Sequence, residues 1–254
     1  MRIVHISDLH FGMHHEFIVE SFLKDLADIQ PDLILISGDL THRATDEQYK
    51  SFLAFVNQLR PVVCMVPGNH DIPLHNVLAR LYNPFGQYKK HIHPTLTASF
   101  QNELVRVLGV NSVNPHRIKD GKLSSLTLDH IKEYFEPTFD GLSILFFHHN
   151  FDYIEGLHKP LENFQLFLDY LKKSSIDMVC TGHSHFASIS NIEKINQQSS
   201  IVLHAGSLLC KRSKDGLNSY YVIETKKQGC NIDWRVFTND IFETRSSSFF
   251  LVCP

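Results

Sequence analysis

Val62-Val63-Cys64-Met65-Val66-Pro67-Gly68-Asn69-His70-Asp71 decides how this chain is to be read. An apolar run of strand length reaches a tight turn that presents an amide, an imidazole and a carboxylate at one point. Asn beside His is unusual equipment for a turn that only reverses the chain, although Gly-Asn is also an ordinary turn pair. What matters is whether other strand ends offer matching groups.

On the N-terminal side the same rhythm occurs twice. Residues 3–6 read as a strand ending at Ser7-Asp8-Leu9-His10, and Ile18, Phe22, Leu26 and Ile29 then share one helical face. Leu33-Ile34-Leu35-Ile36 is a second strand, ending at Gly38-Asp39. Thr45-x-x-Gln48 reads as a capping box that opens a helix with Tyr49, Phe52, Leu53, Val56 and Leu59 on one face. Strands apolar throughout belong to a parallel sheet buried on both faces, and short alternations of β and α imply right-handed βαβ units.

On the C-terminal side, residues 72–94 read as one or two short helices covering the strand ends. Further strands fall at 104–108, at 142–147 running into His148-His149-Asn150, and at 176–180 ending at Gly182-His183-Ser184-His185. Leu128, Ile131 and Phe135 mark one helix between them; Leu161, Phe164, Phe167, Leu168 and Leu171 mark another. Beyond residue 185 the style changes to strands at 201–203, 219–223 and 232–236 joined by polar turns, which predicts an antiparallel, strand-rich ending.

Composition sets limits on this reading. The 254 residues, 43% hydrophobic and 20% charged, suit a single domain over 1–254. The net charge of −3 and the absence of a Lys/Arg block leave no nucleic-acid or polybasic membrane footprint. Five scattered cysteines without a CxxC point to a reducing compartment. No apolar run approaches the roughly 20 residues of a membrane span, and the start is too polar for a signal peptide. The apolar residues 249–254 read as a packed or frayed tail. A cytoplasmic protein is expected, whose strand-rich end could pair two copies as a homodimer. Seventeen histidines are the compositional oddity.

Five strand ends thus carry metal-capable groups: Asp8-x-His10, Gly38-Asp39, Gly68-Asn69-His70-Asp71, His148 and Gly182-His183-x-His185. Each alone is also an ordinary turn. In an open α/β sheet they would share the rim beyond the carboxyl ends of the strands. Imidazoles suit Zn and Fe, carboxylates and amides suit Mn, and the mixture fits a pair of divalent ions sharing a carboxylate. Such a pair keeps residual positive charge after Asp8 and Asp39 have bound, which suits a phosphoryl group.

The ordered blocks D-x-H, G-D, G-N-H-D, a lone H and G-H-x-H resemble the calcineurin-like metallophosphoesterases, and from Asp8 to His185 they cover about 70% of the chain. The Gly-Asn-His-Asp ending, the length, Ala205-Gly206-Ser207 and Asn218-Ser219-Tyr220 are similar to the bacterial class III cyclic-nucleotide phosphodiesterases. The resemblance implies an α/β/β/α sandwich. It implies that Asp8, His10, Asp39 and His185 hold one metal and that Asp39, Asn69, His148 and His183 hold a second, the metals being Mn, Fe or Zn. A metal-bridging hydroxide would attack phosphorus while His70 acts as general acid. Asp71 would orient His70 or a ligand, or simply cap the turn.

The expected substrate is a small phosphoester, 3′,5′-cyclic nucleotides first. UDP-2,3-diacylglucosamine, cleaved by some members of this family, is an alternative whose acyl groove could only lie between Ile72 and Phe85. An interaction scaffold on the same fold is the non-enzymatic alternative, which gaps in the ligand set would mark; there are none. Three features stay open. Arg43 could hold a phosphate oxygen or be a surface arginine. His149 could support a ligand. Phe151, Tyr153, Leu157 and His158 could wall a nucleobase or pack within their own loop. The histidines at 14, 15, 42, 75, 91 and 93 read as surface or rim residues.

Overall fold

The computed structural model describes all residues except 75, 154, 155, 157, 158 and 252–254. Two six-stranded sheets pack face to face between helices. The first contains β1 (Arg2–Ile6), β2 (Leu33–Ile36) and β3 (Val62–Met65), which run parallel. Beside β1 come β10 (Ser219–Lys226), β11 (Gly229–Thr238) and β12 (Ile241–Leu251), paired antiparallel in the order β12-β11-β10-β1-β2-β3. The second sheet has parallel strands β5 (Val105–Gly109), β6 (Leu142–Phe146), β7 (Met178–Thr181) and β9 (Ser199–His204). Antiparallel β4 (Ala98–Gln101) and β8 (Ser188–Glu193) form its edges.

The period-2 alternation of strand side chains explains the layers. Val4, Ile6, Ile34 and Ile36 face outward onto α1 (Glu16–Ile29) and α2 (Asp46–Val56), where Ile18, Phe22, Tyr49 and Phe52 wait. Ile3, Leu33 and Leu35 face inward and meet Val105, Val107, Ile144, Phe146 and Met178 of the second sheet. The far face of that sheet, with Leu108, Leu145 and Val179, is covered by α5 (Ser125–Phe135) and α6 (Phe164–Leu171). This is the α/β/β/α sandwich that the family resemblance implies.

Several local expectations are corrected. β3, read as buried on both faces, is the edge of its sheet, and Val62 is exposed. Residues 201–203 belong to β9, which continues the parallel set instead of opening the antiparallel ending. The capping box is half formed: Thr45 accepts from the Gln48 N–H, but the Gln48 amide reaches back to the Arg43 N–H. Of the apolar end read as a packed or frayed tail, residues 249–251 finish β12 and Phe250 packs against the inter-sheet core, while 252–254 lie outside the described residues.

Residues 72–94 do form two helices, α3 (Val77–Tyr82) and α4 (Gly86–His91). α3 turns Val77, Leu78, Leu81 and Tyr82 to solvent and buries Arg80. No helix of the described residues is long and apolar enough to cross a membrane. Cys64, Cys180, Cys210 and Cys230 are buried free thiols, and Cys253 lies outside the described residues.

Candidate metal centre

The parallel pairing of β1 and β2 does not stop where the strands end. The N–H groups of Asp8, His10 and Phe11 donate to the carbonyls of Gly38, Asp39 and Leu40 at 3.1, 2.9 and 3.0 Å. The loops carrying Asp8-x-His10 and Asp39 are therefore zipped together. Asp8, His10, Asp39, His183 and His185 all adopt left-handed backbone, with φ of 54°, 49°, 53°, 70° and 52°. Non-glycine residues occupy that region at a cost of about 1–3 kcal/mol each, and such strain collects at functional sites.

Two glycines permit the close approach. A Cβ on Gly68 would lie 2.3 Å from the Asp39 backbone nitrogen, and one on Gly182 would lie 1.8 Å from Ser7 Oγ.

The seven residues read as metal ligands come together in two groups that meet at Asp39. In the outer group His10 Nε2 lies 3.1 Å from His185 Nε2, and His185 Nε2 lies 3.1 Å from Asp8 Oδ1. In the inner group His148 Nε2 lies 3.1 Å from Asn69 Oδ1 and 3.3 Å from His183 Nδ1. Asp39 Oδ2 is 3.5 Å from His10 Nε2 and 3.4 Å from His148 Nε2, so one oxygen faces both groups. Ligand atoms about 2.0–2.2 Å from a common ion lie roughly 3–3.5 Å apart, the spacing seen in each group.

The ring orientations fit a cation as well. His148 Nδ1–H donates to the Ser37 carbonyl at 2.8 Å, and His185 Nδ1–H donates to the Arg212 carbonyl at 2.5 Å. In the neutral ring this leaves Nε2 as a lone pair aimed inward, a hydrogen-bonding pattern usual for ligating histidines. Asn69 Nδ2 donates to the Ile118 carbonyl at 3.3 Å, turning Oδ1 inward. Asp8 Oδ2 accepts from the His183 N–H at 2.9 Å, while buried Asp8 Oδ1 has no hydrogen-bond donor. The ring nitrogens and side-chain oxygens thus converge on two shared points.

Electrostatics agree. Burial alone would raise the carboxyls of Asp8 and Asp39, but imidazoles, His185 foremost for one and His148 for the other, hold both well below the usual carboxylate range. Burial would lower His148, yet the Asp39 carboxylate drives it up to about 9; Asp8 likewise raises His185. The carboxylates that favour positive charge on these rings would equally favour a divalent ion between them.

His70 is not among the inward lone pairs. It is half-buried at the mouth, its Nδ1 lies 2.8 Å from the His42 carbonyl, and its backbone N–H donates to Asp39 Oδ1 at 2.8 Å. Its ring meets His10 edge-on at 4.8 Å and stacks on His42 at 5.4 Å. Asp71 takes the turn role: it accepts from the N–H groups of Leu40, Thr41 and Gly68 at 3.0, 2.8 and 2.8 Å. It thereby staples the Asp39 loop to the Asn69 turn. Burial, helped by the charge of Asp39, pushes it up to about 6 against those hydrogen bonds.

Arg43 is exposed and gives its backbone N–H to Gln48. His149 is buried, 2.8 Å from Ser112 Oγ, with its ring 4.6 Å from that of His183. Phe151 packs in the core under α6, which removes it as a nucleobase wall, and Tyr153 is exposed. Leu157, His158 and His75 lie outside the described residues.

Sequence reasoning passed over His42, read as a rim residue but stacked on His70. It also passed over the loop at 207–214. There Ser207 Oγ donates to the Asp8 carbonyl at 2.8 Å, and Arg212 receives His185. The Ala205-Gly206-Ser207 block was the signal for it.

A family model described as calcineurin-like phosphoesterase matches residues 1–187. The chain is 27% identical over 205 residues to a probable glycerophosphodiester phosphodiesterase of Arcobacter nitrofigilis, covering 79% of this chain and 70% of that protein. Over 85 residues it is 35% identical to a probable cyclic nucleotide phosphodiesterase of Pseudoalteromonas, a match spanning 28% of this chain and 31% of that protein. In fold it resembles a purple acid phosphatase from yellow lupin, with a TM-score of 0.77 at 12% identity over 99% of this chain and 53% of that one. The chain belongs to the calcineurin-like phosphoesterase family and is a hydrolytic phosphoesterase.

Proposed function

We propose that residues 1–254 act as one domain and as a dinuclear phosphodiesterase for small diesters. The observation that carries this reading is Asp39 Oδ2, set between His10 Nε2 at 3.5 Å and His148 Nε2 at 3.4 Å. Asp8, His10, Asp39 and His185 would hold one ion; Asp39, Asn69, His148 and His183 would hold the other, with Mn, Fe and Zn all suited to this donor set. When bound, the two ions supply acidified water and offset the charge of the phosphoryl group.

The chain supplies the rest. Asp39 Oδ1 is fixed by the His70 N–H, which keeps Oδ2 for the shared position. His70 Nδ1 is anchored on the His42 carbonyl, which directs Nε2 away from that loop. From there a protonated His70 gives the departing alkoxide its proton, the general-acid role that the sequence assigned to it. The Asp71 staple fixes the distance between Asp39 and the Asn69-His70 turn.

The relatives' names point to two diester classes, glycerophosphodiesters over the longer match and 3′,5′-cyclic nucleotides over the shorter ones. One panel on protein reconstituted with each metal separates them: 3′,5′-cyclic AMP, glycerophosphocholine, bis(p-nitrophenyl) phosphate and p-nitrophenyl phosphate. Diester hydrolysis with two ions per chain is expected. A metal-loaded protein that cleaves only the monoester overturns the reading.

The exposed apolar row Val77, Leu78, Leu81 and Tyr82 on α3 favours one further test. It is the place where an acyl chain of UDP-2,3-diacylglucosamine would have to lie. Hydrolysis of that lipid in detergent would support the pyrophosphatase reading, and inertness would remove it.

A further inference from the structure

The cavity above the centre has a volume of about 360 Å³, and its lining includes Lys119, Arg212 and Lys214 beside His70 and His185. These cations are carried by two loops that meet the centre from opposite sides. Lys119 follows Ile118, whose carbonyl holds the Asn69 amide at 3.3 Å. The same loop is pinned from behind by Arg80, which donates to the carbonyls of Pro115 and Arg117 and to that of Pro73. Arg212 and Lys214 are tied to His185, through the Arg212 carbonyl and through the Lys214 N–H, which donates to the His185 carbonyl at 3.1 Å.

Among the described residues none of the three cations has a carboxylate partner within ion-pair distance, and Lys214 feels the charge of Lys119 across the mouth. Asp215, the acid next in sequence, is turned away to the N–H groups of Ala187 and Leu217 at 3.1 and 3.0 Å.

A chain with a net charge of −3 therefore reverses sign at the opening of its site. Two divalent ions and their two carboxylates already outmatch the single negative charge of a diester. Three more unpaired cations serve no need of the diester phosphate itself. We propose that the diester favoured by this enzyme carries a second anionic group, a phosphate or a carboxylate, which Lys119, Arg212 and Lys214 hold at the cavity mouth. The inference rests on the phosphodiesterase reading and adds substrate selectivity to it. Rim lysines that merely steer anions inward would also favour the more charged diester, but only at low ionic strength; a binding site for a second anion keeps its preference for one of two matched substrates when salt screens the steering.

Glycerophosphoinositol and glycerophosphoinositol 4-phosphate make that pair, differing by one phosphate. With manganese-loaded protein, at low salt and at about 0.5 M salt alike, kcat/KM should favour the phosphorylated diester at least tenfold. The preference should fall towards one in Lys119→Gln/Arg212→Gln/Lys214→Gln and invert in Lys119→Glu/Lys214→Glu, with circular dichroism confirming that both variants are folded. A wild-type ratio within twofold of one, or the same ratio in all three proteins, overturns the inference. Hydrolysis of bis(p-nitrophenyl) phosphate alongside separates the failures: if it proceeds without a preference, only the second-anion site falls; if no diester is cleaved, the phosphodiesterase reading falls with it.

Discussion

The two groups that share Asp39 are built on different principles. The outer group brings its own carboxylate, Asp8, and sits on left-handed loop backbone at Asp8, His10 and His185, the last with 15% of its side chain exposed. The inner group has no carboxylate of its own. It relies on an amide, Asn69, and two imidazoles, and His148 stands at the end of β6 with none of its side chain exposed. Both halves are largely buried and both include left-handed backbone, at His183 in the inner group; what separates them is the carboxylate that the outer group brings and the inner one lacks. Charge draws an ion of either kind, whereas a rigid neutral cage discriminates by geometry. The outer position should therefore load readily and the inner one selectively.

Removing the oxygen common to both groups should do the most damage. Asp39→Ala is expected to lower kcat/KM for a diester by about 10³-fold, the equivalent of several kcal/mol of lost charge stabilisation. Bound metal should fall in both positions; elemental analysis showing one position still full would break the comparison at its joint. His70→Ala should leave metal content intact and slow diesters with alkoxide leaving groups by roughly 10²–10⁴-fold, the usual worth of general-acid catalysis. Bis(p-nitrophenyl) phosphate, whose leaving group needs no proton, should be spared. Equal losses on both substrates would place His70 in the binding of the ions instead.

Asp71→Ala acts on the staple and should harm both groups alike. Three backbone N–H groups lose their acceptor, at about 1–3 kcal/mol for each left unsatisfied. A melting temperature lower by roughly 10 °C is expected for a chain of this size.

Asn69→Ala sharpens the asymmetry. It should weaken one ion only, by at least the roughly tenfold that loss of a supporting partner costs. Competition with a chelator followed by elemental analysis would show one ion released early and one late. Two ions leaving together would mean that the halves are a single unit.

The smallest effect isolates burial from the imidazoles. Asp177, outside both groups, is pushed up to about 6 by burial, against its bond to the Ser143 N–H. The folded state then binds a proton that the unfolded state has already lost between about pH 4 and 6. Its contribution to stability is present below pH 4 and disappears as the pH rises through 6, roughly 3 kcal/mol at most. Asp177→Asn should flatten that slope in urea titrations; an unchanged slope would assign it to Asp71, whose carboxyl burial likewise pushes up to about 6.

The sequence displayed the site more fully than the frame around it. Every residue proposed as a ligand lay just past the end of an apolar run, because parallel strands finish at one rim and the residues after them face what binds there. The α/β layers followed from the same runs. What stayed hidden was non-local. β3 looks as buried as its neighbours by composition, yet strand order makes it an edge. His42 looks like any polar loop residue until the stacked His70 ring is placed on it. Arg80 reads as the polar face of an amphipathic helix, and the fold inverts that helix so that its apolar face meets water. β12, with Ser246-Ser247-Ser248 at its centre, has no hydrophobic period to announce it; its register comes from β11.

The pairing of β1 with β10 has a consequence for how the protein is made. β1 lies in the middle of its sheet, and one of its two neighbours begins more than 200 residues later. On the ribosome all seven residues read as metal ligands have emerged by His185, but the strand that closes β1 on its open side has not. The nascent chain must wait with an unpaired central strand while the histidines and carboxylates of the site are already exposed, a state prone to mispairing and slow to resolve because the missing contact is so distant in sequence. Trimming the chain back from its end into β10 would thus open the molecule at its first strand.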